Sequence, residues 1–139
     1  MVLTIPIFTQ FAEGNCFETQ LTLTEALINS FALLSGDNNP IHMNASFAQE
    51  KGFKTRVSHG NILGMMISQL VGTQLPTQDV LLISQSIQYK KPIYGGMPIR
   101  LVGTVVTCSE SVRIVELSLI FLGGSQETVA KGKCAFKVL

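Results

Sequence analysis

The spacing of apolar residues along the chain changes character once. From Thr24 to about Leu75 they recur at helical intervals, and from Asp79 to Leu139 they fall in short runs rich in β-branched and aromatic residues. Thr24 can cap a helix on which Leu27, Ile28, Phe31 and Leu34 share a face, and Gly36 follows as its stop. Asn44 is a second capping residue, opening a short helix through Phe47 and Ala48 that ends near Gly52. Between these two helices, SGDNNPIH reads as loop by composition. The run GNILGMMISQLVGTQL, from Gly60 to Leu75, predicts a third helix with a wide apolar face of Ile62, Leu63, Met66, Ile67, Leu70 and Val71, and Gly64 would permit close backbone packing. A helix this apolar belongs at the centre of the fold.

Phe17 to Thr22 alternates weakly and suits a short first strand. After Pro76 come VLLISQSIQYKKPI, MPIRLVGTVVTC, VRIVELSLIFL and TVAKGKCAFKVL, four strand-like runs divided by Gly, Pro or Ser clusters. An apolar helix followed by a long twisted antiparallel meander has one economical packing, in which the sheet wraps around the helix. The class is α+β. With no repeat, linker or low-complexity tract, residues 1–139 read as a single domain.

Composition sharpens this picture. The 139 residues are enough for one proper core. Hydrophobic residues make up 46% of the chain and charged residues 14%, so little charge is available to spread over the surface. That predicts a homo-oligomer covering part of the apolar surface, the alternative being a slightly greasy monomer. The net charge is +1, with Lys and Arg scattered singly or in pairs, which offers no basic stripe for a phosphate backbone and argues against a nucleic-acid partner. Cys16, Cys108 and Cys134 fit neither a disulfide framework nor a zinc spacing, and read as small buried hydrophobes in a reducing, cytoplasmic compartment. The opening MVLTIPIFTQF lacks a signal peptide's basic start and cleavage site, and no apolar run approaches the ~18 residues a membrane span needs.

The candidate chemistry is concentrated. His42 and His59, the only histidines, fall in one short stretch with Asp37, Asn39, Pro40 and Gly60. Pro40 drives Asn39 out of the helical region and turns the chain, which can bring an imidazole and a carboxylate five positions apart onto one site. Such a pair can hold a water and exchange protons with it, work worth ~10²–10⁴-fold in rate. The plainer alternative is that Asp37 turns the loop and His42 fastens it. Gly60, at the start of the apolar helix, leaves a backbone N–H unpaired at the positive end of the helix dipole, a suitable oxyanion donor. Alternatively, Gly60 only permits a tight turn, and His59 reads as a structural histidine bonded to backbone.

The run from Phe31 to Gly60, FALLSGDNNPIHMNASFAQEKGFKTRVSHG, resembles the hydratase signature of MaoC-like proteins, the (R)-specific enoyl-CoA hydratases of the hot-dog fold. Ser35-Gly36-Asp37, Asn39-Pro40, His42, Asn44, Ala48, Phe53, Val57 and His59-Gly60 stand in family order and spacing. The resemblance implies a hot-dog fold, an overhang segment carrying the catalytic loop, and a homodimer whose sheets join edge to edge. It implies reversible hydration of trans-2-enoyl thioesters to (R)-3-hydroxyacyl thioesters. By position, Asp37 and His42 would activate the water, Asn39 support the loop, the Gly60 amide polarise the thioester carbonyl, and Ser68 lie near the acyl site. No metal or redox cofactor is implied, and coenzyme A or acyl carrier protein would carry the substrate.

The family usually has Met after the His-Gly pair, where this chain has Asn61. An amide there could add a donor near the oxyanion site or cap the helix. Val71 can line an acyl tunnel or simply belong to the core. Alternatives to the hydratase are the (R)-3-hydroxyacyl-carrier-protein dehydratase reaction, a hot-dog thioesterase, and a non-catalytic acyl-thioester binder.

Overall fold

A computed structural model describes residues 6–139, so the first five residues of the opening run read above lie outside the described residues. A short 3-10 turn at Ile7–Phe11 leads to β1 (Cys16–Thr22), α1 (Glu25–Ser35), α2 (Pro40–Met43), α3 (Ala45–Glu50) and α4 (Ile62–Thr73). The strands β2 (Val80–Tyr89), β3 (Pro98–Ser109), β4 (Ile114–Leu122) and β5 (Thr128–Val138) follow. Local chemistry sets the helix ends. The Thr24 hydroxyl accepts from the Leu27 N–H at 3.1 Å, and α1 stops where Gly36 turns left-handed at φ 75°. The Asn44 carboxamide accepts from the Phe47 N–H at 3.0 Å and opens α3.

All five strands form one antiparallel sheet in the order β1-β3-β4-β5-β2. Its inner face presents Ile99, Leu101 and Val105 from β3, Val115, Leu117, Leu119 and Phe121 from β4, and Phe136 and Val138 from β5. Against them lie Ile62, Leu63, Met66, Ile67, Leu70 and Val71, the whole apolar face read from the sequence of α4. Each such side chain taken fully from water contributes about 1.5–3 kcal/mol, so this seam dominates the stability of the fold. Gly103 on β3 lets the sheet approach α4: a Cβ there would meet the Leu70 methyl at 3.0 Å and the Leu117 methyl at 3.1 Å.

Four expectations change. The late strands are not a simple meander, because β2 pairs with β5 and the chain then crosses to begin β3 on the far side. The segment SGDNNPIH is not loop throughout, because Pro40 begins α2 and His42 sits on that helical turn. Gly64 faces a side chain, not a backbone: a Cβ there would meet the Gln85 amide nitrogen at 3.3 Å. Of the cysteines, only Cys134 is buried, with its thiol pushed up to about 11 by loss of solvent; Cys16 is exposed and Cys108 intermediate. No helix among the described residues is long and apolar enough to cross a membrane.

Candidate active site

Asp37 follows immediately on the left-handed end of α1, where two short-range bonds fix it. Its N–H donates to the Ser35 hydroxyl at 3.1 Å, and its Oδ1 accepts from the Asn39 N–H at 3.3 Å. Pro40, with its preset φ, starts α2, and Asn39 caps it by accepting from the Ile41 N–H at 3.0 Å. The turn delivers His42 back towards Asp37, leaving Nε2 at 3.6 Å from Asp37 Oδ2.

The other side of His42 is strapped to the Val57 segment. The Val57 N–H donates to the Ile41 carbonyl at 3.0 Å, and His42 Nδ1 lies 2.6 Å from the Val57 carbonyl. A carbonyl only accepts, so Nδ1 carries a ring hydrogen, and in the neutral imidazole Nε2 presents a lone pair towards Asp37. Val57 is held in turn by a bridge to Tyr94, and the Ser58 N–H donates to the Ile93 carbonyl at 2.7 Å.

Two acceptors therefore face each other at a separation too long for a direct hydrogen bond. Side-chain exposure of 16% for His42 and 49% for Asp37 lets water reach the gap. A water lying against both can donate one hydrogen to each, which leaves its oxygen lone pairs facing outward.

The imidazole of His59 packs beneath this pair. It is 1% exposed, its Nε2 lies 2.7 Å from the Asp37 carbonyl oxygen, and its ring stacks on His42 with centroids 4.0 Å apart and planes 29° from parallel. Asp37, His42 and His59 offer ligand atoms within 4.8 Å of one another. The stack is a poor metal site, because imidazole lone pairs lie in the ring plane and an ion shared by stacked rings would sit out of plane of both.

Gly60 comes next in the chain, and its N–H makes no hydrogen bond to any described residue. Its lack of a side chain has a specific reason, since a Cβ would lie 2.7 Å from Cζ of Tyr89 on β2. The Tyr89 hydroxyl is 3.3 Å from Asn61 Oδ1, and burial raises its pKa above the usual phenol value. Asn61 therefore does not cap α4 through its side chain; its amide oxygen is turned to Tyr89.

The remaining candidates separate by face. Ser68 lies on the exposed flank of α4 with Asn61 and Met65, whereas Val71 is 3% exposed and packs into the core. A cavity along the α4 flank is lined by Leu21, Met65, Met66 and Gln69. Sequence reasoning missed the Val57 carbonyl and Tyr89. Both act by position alone, and neither residue type signals it.

A family model described as MaoC like domain matches residues 9–118. The chain belongs to the MaoC-like family. Over 94 residues it is 37% identical to an (R)-specific enoyl-CoA hydratase of Rhodospirillum rubrum, a match covering 68% of this chain and 65% of that protein. It is also 37% identical to an (R)-specific enoyl-CoA hydratase of Aeromonas caviae, over 51% of this chain and 53% of that protein. The match thus spans between about half and two thirds of these two relatives. Among solved structures, the (R)-hydratase from A. caviae involved in PHA biosynthesis superposes with a TM-score of 0.85 at 26% identity, covering 91% of this chain and 96% of that one. The five-stranded antiparallel sheet around α4 is the hot-dog fold of these MaoC-like hydratases.

Proposed function

We propose that this chain catalyses reversible addition of water to trans-2-enoyl thioesters, giving (R)-3-hydroxyacyl thioesters. The observation that carries the reading is the pair of facing acceptors, Asp37 Oδ2 and His42 Nε2, with the other nitrogen of His42 committed to the Val57 carbonyl. A water held by both acceptors loses a proton to the pair as its oxygen bonds to the β-carbon. The electron pair of the double bond then moves to the thioester oxygen as an enolate. The same pair returns a proton to the α-carbon, so hydrogen and hydroxyl are both accounted for. The two groups share the acid and base roles.

The enolate charge falls to the free Gly60 N–H at the start of α4, the kind of preorganised donor whose removal costs about 2.7–4 kcal/mol of transition-state stabilisation. Asn39 supports the loop by capping α2, and Ser68 and Asn61 border the acyl group on the exposed flank of α4. Val71, within the core, sets the floor beneath that flank. The reaction needs neither metal nor redox cofactor, and the acyl group arrives on coenzyme A or acyl carrier protein. Family likeness to hydratases favours this chemistry over thioester hydrolysis or binding alone.

A homodimer completes the proposal. The β2 strand lies at the sheet edge with Leu81 58%, Ile83 48% and Tyr89 51% exposed, next to an α4 flank that leaves Met65 40% exposed. A second copy joined through β2 would cover this surface and wall in the site.

The direct test is hydration of crotonyl-CoA and a longer trans-2-enoyl-CoA. Wild type turns over, and Asp37→Asn and His42→Ala each lose at least ~100-fold in kcat, the lower range for a positioned acid–base group. Release of free CoA would make the protein a thioesterase, and binding without turnover would make it a carrier of acyl thioesters.

A further inference from the structure

We propose that His59 is a positioning residue for the reaction, holding Asp37 and His42 in register through one hydrogen bond and one ring contact. The inference rests on the hydratase reading above and goes beyond it, because His59 is buried, 1% exposed, beneath the pair that reading assigns.

The Asp37 carbonyl accepts the ring hydrogen of His59 Nε2 at 2.7 Å. This bond fixes the peptide plane that follows Asp37, while the Asn39 N–H holds Oδ1 at 3.3 Å. Backbone and side chain of Asp37 are thereby fixed from two directions, and Oδ2 is left to face His42. On the other side, the His59 ring supports His42 by the 4.0 Å stack and touches Phe31 of α1 at 4.9 Å between centroids. One buried side chain, on the residue that precedes Gly60, thus bridges α1, the Asp37 turn and α2. A change at His59 reaches the water-holding pair and the oxyanion donor together.

The second nitrogen of His59 argues against a purely structural role. Nδ1 is buried with no hydrogen-bond partner among the described residues. Buried polar atoms are nearly always paired, and exceptions need a reason. A phenyl ring would fill the same space without an orphaned acceptor, and a glutamine would reach the Asp37 carbonyl without a ring. Histidine supplies donor and flat ring at once in a side chain of this size.

The test uses the full chain and three variants. His59→Phe keeps a ring and loses the donor. His59→Asn keeps polarity but is too short to reach the Asp37 carbonyl. His59→Gln restores a donor at the position of Nε2. With crotonyl-CoA, His59→Phe and His59→Asn are expected to lose about tenfold in kcat, the scale of one hydrogen bond, with KM within about twofold of wild type. His59→Gln is expected to recover kcat to within about threefold. In an Asp37→Asn background, His59→Phe should cost almost nothing further, because the group it positions is already gone.

Folded variants that keep wild-type kcat, or a His59→Gln no better than His59→Phe, would overturn the proposal. So would additive losses in the double variant, since a structural residue lowers activity regardless of Asp37. If wild type hydrates no enoyl thioester, the hydratase reading fails and takes this inference with it. If wild type is active and the variants match it, only the inference fails.

Discussion

His42 has two ring nitrogens with different neighbours, and that asymmetry determines what the ring can do. The Val57 carbonyl takes the Nδ1 hydrogen and so fixes the tautomer, leaving Nε2 as the nitrogen that faces Asp37. The closeness of Asp37 and His42 was legible in the sequence, because Pro40 forces a turn between two residues that a straight helix would keep on different faces. The tautomer was not, since it depends on a carbonyl fifteen positions away. Gly60 makes the same point. The sequence explains a glycine there by a turn or a free amide, whereas the structure adds the Tyr89 ring packed against it. A Gly60→Ala variant is therefore expected to lose about 1 kcal/mol of stability in denaturant unfolding, the low end of overpacking costs, because the half-exposed ring can partly give way. In a Tyr89→Ala background the same substitution should cost almost nothing, and a Gly60→Ala protein as stable as wild type would show that the contact is not close.

At the level of elements, α4 was the most legible part of the chain. All six apolar positions predicted for its inner face are buried, because a period of three to four residues over a long apolar run leaves little choice of face. The caps at Thr24 and Asn44 follow for the same kind of reason, a local side chain satisfying a local N–H. The α2 turn escaped notice because Asn, Asp and Gly dominate its surroundings and mark loops. Yet Asn39 followed by Pro40 is also the chemistry of a helix start, and here the capping bond decides. Composition misjudged Cys16 as well. It lies on β1 at the sheet edge, facing out, where its thiol sits 3.4 Å from the Thr104 hydroxyl.

For the whole molecule, strand content was legible and strand order was not. Alternation marks each strand but does not name its neighbour, so the pairing of β2 with β5 and the crossing to β3 emerge only in the fold. That arrangement leaves β2 at an edge with exposed apolar side chains, the state an assembled sheet would remove. The low charge content pointed the same way without saying which surface is involved. The wild-type protein is expected to sediment as twice the mass of one chain. Ile83→Lys, which places a charge on the β2 edge, should shift it towards monomer and reduce hydration as well, because the site loses its second wall. An Ile83→Lys protein that remains a fully active dimer would place the interface elsewhere.

The account stands on one water being added at the β-carbon by Asp37 and His42. The most direct measurement is to incubate crotonyl-CoA with the wild-type protein in water labelled with heavy oxygen and to analyse the product by mass spectrometry and chiral chromatography. The label should appear on the β-carbon of intact (R)-3-hydroxybutyryl-CoA, and the Asp37→Asn protein should form almost none. Label in a free carboxylate alongside released CoA, or equal incorporation by the Asp37→Asn protein, would contradict the account.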